Sequence, residues 1–188
     1  MMIAAGSAGC SSSGMAGQPS PAISVTGPWA NEFTSAYASA TSDYERGVLH
    51  DGAVTAAEYE QTKTHLRSCL DDSGYTITWD ARGGFELGSV SGSYPEDFFE
   101  RSDPVLLKCE SSWAGSILYL YEHVRRNPGK RDEATIQVAC LRGVGLVDAT
   151  YSTRRWSQDN EKDHFPFDSQ SNSARRCALD PLGLWYSP

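Results

Sequence analysis

The residues with the most chemical promise form the run His50-Asp51-Gly52-Ala53-Val54-Thr55-Ala56-Ala57-Glu58-Tyr59. Asp-Gly-x-aliphatic-Thr-x-x-Glu resembles the back half of a calcium-binding EF-hand loop, whose last Glu supplies two oxygens to the ion. The front half does not follow. Its first and third ligand positions fall on Gly47 and Leu49, whose side chains have no oxygen to offer a hard cation. The same letters meet another need. Thr55 and Glu58 have the spacing of a capping box, Val54 and Tyr59 that of a hydrophobic staple, and Asp51-Gly52 suits a turn between two helices. The run is therefore expected to be a helix joint, with no metal.

Other candidate chemistry is thinner. The stretch "DNEKDHFPFD" offers Asp159, Glu161, Asp163, His164 and Asp168. It lacks the Gly turn and closing Glu of a calcium loop and reads as a solvated acidic loop. Glu96, Asp97 and Glu100 suit the first turn of a helix, at the positive end of its dipole. His50, His65, His123 and His164 are scattered, and "GSVSG" centres on Val90 rather than Ser. No phosphate loop and no His-Glu-x-x-His occurs. No catalytic residue and no cofactor is assigned. The aromatic run is more telling: Tyr75, Trp79, Phe85, Tyr94, Phe98 and Phe99 fall within a short span. Most of them are expected to pack in the core, but a hairpin is not expected to bury them all, and Trp79, Phe85, Tyr94, Phe98 and Phe99 are the candidates to face a glycan, peptide or protein.

Two function classes follow. One is a non-enzymatic envelope module that binds a protein, peptide or cell-wall ligand. The alternative is an extracytoplasmic hydrolase whose acid–base pair is assembled only by the fold. The formal charge of −8 argues against nucleic acid as a partner. Residues 1–110 hold 15 acidic and 6 basic side chains, whereas residues 111–188 hold 9 and 10. The pairs Arg125-Arg126, Arg154-Arg155 and Arg175-Arg176 all fall in that second part, where they could form a basic face.

Stepping from chemistry to its scaffold, residues 1–27 carry no charge and are rich in Ser, Gly, Ala and Pro. Within this stretch, residues 11–27 bury too little to offset their ordering entropy and are expected to be a flexible tether, and the apolar run before them is expected to be the tail of a signal peptide. The small residues leading into Cys10 resemble a lipobox, although Ser7 stands where Leu is usual and no Lys or Arg precedes the run. Cys10 is the expected lipidation site. The rest would then be one extracytoplasmic domain, residues 28–188, meeting the membrane only through its lipid, or secreted.

With Cys10 set aside, Cys69, Cys109, Cys140 and Cys177 form an even set suited to two disulfides in an oxidising compartment. Cys69 and Cys140 share the frame Cys-Leu-x-x-x-Gly-apolar, and each is followed by a Cys in another helix-like segment. Of three connectivities, Cys69–Cys109 and Cys140–Cys177 fit best. The pattern predicts an α+β, helix-dominated protein of two diverged copies of a helix–helix–hairpin–helix unit, about 28–112 and 113–188, each with one disulfide. Within it, Trp29, Phe33, Tyr37, Tyr44 and Val48 recur at helical spacing and predict one helix over 28–48. A second runs from Thr55 to Asp72. "YTITWDARGGFEL" predicts a hairpin turning at Gly83-Gly84. "YPEDFFERSDPVLLKCE" predicts one broken helix or two short ones, with Pro104 starting the second. "SILYLYEHVRRN", "RDEATIQVACLRG" and "DSQSNSARRCAL" predict helices, and "LVDATYSTRRW" a strand.

Cys10, Asp51-Gly52, Val54-Thr55, Glu58-Tyr59, Cys69-Leu70, Gly74-Tyr75 and Cys109 together resemble the frame of secreted and lipid-anchored proteins of high-GC Gram-positive bacteria. The resemblance spans most of residues 28–110 and, more weakly, the second copy. It implies an extracytoplasmic location and disulfides, and no reaction.

Overall fold

The computed structural model describes residues 23–80 and 84–186; Cys10, most of the tether and Gly83 lie outside them. Helices dominate: α1 (Ala30–Ser39), α2 (Asp43–Leu49), α3 (Ala56–Asp71), α4 (Phe98–Cys109), α5 (Ile117–Arg126), α6 (Glu133–Gly143), α7 (Thr153–Glu161) and α8 (Asn172–Leu179). The sheet among the described residues is a single hairpin, β1 (Tyr75–Trp79) antiparallel to β2 (Phe85–Ser89), in register from Tyr75 opposite Ser89 to Trp79 opposite Phe85. A π-helical turn, Glu110–Ala114, extends α4.

The run that opened the sequence reading is a helix joint. Thr55 Oγ1 accepts from the Glu58 backbone N–H at 3.2 Å, and Glu58 Oε2 accepts from the Thr55 N–H at 2.8 Å, closing a capping box. Asp51 Oδ1 accepts from the Ala53 N–H at 3.1 Å, which shapes the turn. Gly52 has φ of +75°, and a Cβ there would come within 2.5 Å of the Val25 side chain, so the turn requires glycine twice over. Leu49 is fully buried in the core.

Both disulfides have the expected pairing, Cys69–Cys109 with Cα atoms 5.8 Å apart and Cys140–Cys177 with Cα atoms 5.6 Å apart. The first ties the end of α3 to the end of α4, across the hairpin. The second ties α6 to α8. Loops of 40 and 37 residues closed in this way each restrict the unfolded chain by about 4 kcal/mol. Gly74 and Gly145 stop α3 and α6 at φ of +85° and +73°, as the shared Cys-Leu-x-x-x-Gly frame predicts.

Three sequence expectations are corrected. Residues 28–48 form two helices, because Ala40 is extended and the Ser42 side chain caps a new helix by accepting from the Glu45 N–H. Pro104 lies inside one continuous helix, α4; a proline removes one ladder bond, and here the helix is held through the buried faces of Phe98, Ser102 and Cys109. The segment "LVDATYSTRRW" is not a strand. Asp148 Oδ1 accepts from the Thr150 N–H at 2.7 Å to make a turn, and Ser152 caps α7 through the Arg155 N–H. The hairpin of the first unit consequently has no counterpart between Cys140 and Cys177, where α7 stands. What the two units share is the glycine-stopped helix and the disulfide.

The core is three apolar clusters. One joins α1, α2 and α5 around Phe33, Leu49, Ile117 and Leu120. A second joins α3, the hairpin and α4 around Leu66, Leu70 and Ile77. The third joins α6, α7 and α8 around Val138, Leu141 and Tyr151.

A buried carboxylate fixes the entry to α5. Glu45 Oε1 accepts from the Ser116 N–H at 2.7 Å and Oε2 from the Thr41 N–H at 3.3 Å. The side chain lies against Gly115, which has φ of +46° and whose added Cβ would stand 2.1 Å from that carboxylate. Gly115→Ala should therefore cost about 2 kcal/mol or more, from backbone strain and displacement of Glu45 together, measured by urea denaturation. A loss under about 0.5 kcal/mol would contradict this packing.

Candidate functional site

The aromatic candidates divide by position on the hairpin and α4. Phe98 is buried and is their hub: the rings of Tyr94, Phe99 and Tyr75 lie 5.1, 5.2 and 5.8 Å from it. Trp79 is half-buried, 5.6 Å from Phe85 and beneath the Lys63 ammonium, with its indole N–H enclosed and unpartnered. Phe85, Tyr94 and Phe99 are exposed, at 42, 63 and 67%. Tyr94 lies over the bare backbone of Gly88: its hydroxyl would be 3.2 Å from a Cβ there. Beside these rings is an open groove of about 530 Å³, with one edge of Phe98 and Tyr75 in its wall and Ser89, Ser91, Ser93 and Arg101 around it. The fold thus brings Tyr94, Phe98 and Phe99 together at one end of the hairpin and puts Trp79 and Phe85 at the other, near its turn.

The carboxylates and histidines go elsewhere. Asp159, Glu161, Asp163, His164 and Asp168 do not converge: Asp159 is buried on α7, while Asp168 Oδ1 accepts from the Gln170 N–H ahead of α8. Among the described residues no group of three or more His, Cys, Asp or Glu could hold a metal ion. Asp97 stands at the start of α4 and Glu100 in its first turn. His50 bonds the Gly47 carbonyl, and His65 stacks on Trp113 with rings 4.5 Å apart. His123 lies between Trp29 and Tyr119, where burial and then Arg126 hold its pKa down.

Glu122 has no local signature in the sequence, because its partner Tyr59 lies 63 residues away. Glu122 on α5 accepts from the Tyr59 hydroxyl and from Arg125, each at 2.5 Å. Burial and that carboxylate push the Tyr59 pKa up, so the phenol stays a donor. The Arg125 guanidinium in turn stacks 3.6 Å above Trp185. Trp185 is held by Asp180, whose carboxylate accepts the N–H groups of Leu184, Trp185 and Tyr186 at 2.7–2.8 Å. Next to it, Arg126 grips both oxygens of Glu133 at 2.5 and 2.7 Å and donates through Nε to the Ala178 carbonyl. The Arg125-Arg126 pair thus links α5 to α3 through Glu122, and to α6, α8 and the C-terminal segment, and offers no basic face. Arg155 is likewise bonded to Asp159 and Arg175 to Gln170.

A second concavity escaped the sequence reading. A cavity of about 390 Å³ lies among α6, α7, α8 and the loop before α8. Trp156, Phe165 and Phe167 form its apolar wall, with the two Phe rings stacked at 5.2 Å. Phe165 and Phe167 belong to the very run whose carboxylates drew attention; its alternate apolar residues were the usable signal.

Compared with known proteins, the chain matches no family model, no curated protein and no solved structure.

Burial alone would raise the Asp180 pKa, but the N–H donors of Trp185, Leu184 and Tyr186 outweigh it and the net shift is downward. Its stabilising contribution is therefore complete above the ordinary carboxyl value of 3.8 and is lost as pH falls below it through the lowered folded value. Tryptophan fluorescence followed from pH 7 to 2 should show the C-terminal segment releasing in that acid range. Asp180→Asn should release it already at neutral pH, and an unchanged acid transition in that variant would refute the assignment.

Proposed function

We propose that this chain is a non-enzymatic, extracytoplasmic binding module whose ligand surface is the aromatic end of the hairpin and α4. The observation that carries this reading is the exposure of Tyr94 and Phe99 on a buried Phe98 hub beside an open groove. Large rings held rigidly at the surface lose little entropy when a partner covers them, which is why aromatic residues dominate binding hot spots. Around them, Val90 at 62% exposed adds apolar area, while the serines and Arg101 provide a polar rim. A protein or peptide segment of the cell envelope fits this surface, an apolar centre within a polar border.

The two disulfides point to an oxidising compartment, and no helix among the described residues is long and apolar enough to cross a membrane. We infer a lipid at Cys10 as the anchor, in keeping with the lipobox-like run before it and the resemblance to lipid-anchored Gram-positive proteins. The tether after Cys10 would let the hairpin surface reach its partner.

One experiment in a producing Gram-positive host addresses both parts. A photo-crosslinking residue in place of Val90 should give a discrete adduct that disappears with Tyr94→Ala/Phe99→Ala, while the same residue in place of Gln158 gives none. Cys10→Ala should move the protein from the membrane fraction to the medium. Identical adducts from both positions would refute the binding surface, and unchanged membrane association would refute the anchor.

A further inference from the structure

We propose that the cavity among α6, α7 and α8 is a second binding site, selective for a neutral saccharide. Its shape and lining carry the inference independently of the hairpin surface. A volume of about 390 Å³ lies in the range of small-molecule sites, which combine an apolar wall with a few fixed polar groups. Trp156 with the stacked Phe165 and Phe167 supplies that wall, the kind of flat apolar face on which the C–H side of a pyranose ring packs.

The polar groups select for hydroxyls rather than for charge. Arg126 and Glu133, both at the cavity, neutralise each other through two hydrogen bonds, so no net charge is left to attract an ion. Gln137 is only 5% exposed, and both of its amide hydrogens are committed, to Glu133 at 3.0 Å and to the Cys177 carbonyl at 3.1 Å. Its Oε1 accepts nothing from the described residues and belongs to a side chain that lines the cavity. An acceptor left open at the cavity wall can take a donor, and a sugar hydroxyl is one. At the rim, the Asn160 amide and Ser169 hydroxyl have no partner among the described residues, and each can both donate and accept. An alkyl or aromatic ligand would leave these groups unsatisfied, and an anion would find Arg126 already paired. The Cys140–Cys177 disulfide ties α6 to α8 and holds the walls at their spacing.

The test is saturation-transfer NMR on the oxidised full chain with three neutral trisaccharides, maltotriose, cellotriose and chitotriose, and with indole as an apolar probe. At least one saccharide should receive saturation mainly on its ring C–H protons. Trp156→Ala should abolish the transfer, and Asn160→Ala, at an exposed rim position that leaves the fold intact, should weaken affinity about 3-fold or more. Tyr94→Ala/Phe99→Ala should leave it unchanged, which separates this site from the hairpin surface. No transfer to any of the three at about 10 mM, a concentration that detects even weak sites, would overturn the proposal. So would transfer that survives both Trp156→Ala and Asn160→Ala, or binding of indole alone.

Discussion

Two adjacent guanidinium groups at the end of α5 hold this molecule together. The Cys69–Cys109 bridge staples α3 to α4 and the Cys140–Cys177 bridge staples α6 to α8; α5 packs in one apolar cluster with α1 and α2, while α6, α7 and α8 pack in another, so these clusters alone do not fix α6–α8 against the rest. Arg125 and Arg126 fill that role in opposite directions. Arg125 reaches back through Glu122 to Tyr59 on α3 and outward to Trp185, while Arg126 grips Glu133 on α6 and the Ala178 carbonyl on α8. Bidentate, partly enclosed pairs of this kind set orientation more than they add stability. The neighbouring Asn127 reinforces the corner, its carbonyl accepting from the Trp29 indole and its side chain bonding the Arg131 backbone.

That joint explains the distribution of chemistry. The molecule's enclosed carboxylates, Glu45, Glu122, Asp159 and Asp180, bond backbone amides, tyrosines or arginines that define the fold. Tyr151 shows the consequence: burial and its bond to Asp159 push its pKa up to about 12, so it remains a donor at neutral pH. Aromatic rings line two of the molecule's concavities, Tyr75 and Phe98 in the hairpin groove and Trp156, Phe165 and Phe167 in the α6–α8 cavity.

Local signals in the sequence were reliable where local chemistry decides. The capping box at Thr55 and Glu58, the glycine stops at Gly74 and Gly145, the hairpin and both disulfides were all legible, because each depends on residues close in sequence or on a repeated frame. The 28–48 segment misled because apolar residues at steps of four continue across a break that Ser42, a small polar cap, creates. "LVDATYSTRRW" misled because its β-branched and aromatic residues suggest a strand, while Asp148, Thr150 and Ser152 write a turn and a helix start. For the site, the exposed aromatics were foreseeable as a group, but which ring is buried depends on how α4 packs on the hairpin. The Tyr59–Glu122 bond spans 63 residues and has no local trace.

A polar joint at Arg125 and Arg126 on α5 fixes α6, α7, α8 and the C-terminal segment on the rest of the molecule. Amide hydrogen exchange along the whole oxidised chain tests it most directly, comparing the wild type with Arg125→Gln/Arg126→Gln. In the variant, α6, α7, α8 and the C-terminal segment should exchange faster as one block, with α3, the hairpin and α4 as protected as before. Acceleration spread evenly over all eight helices, or none at all, would contradict it.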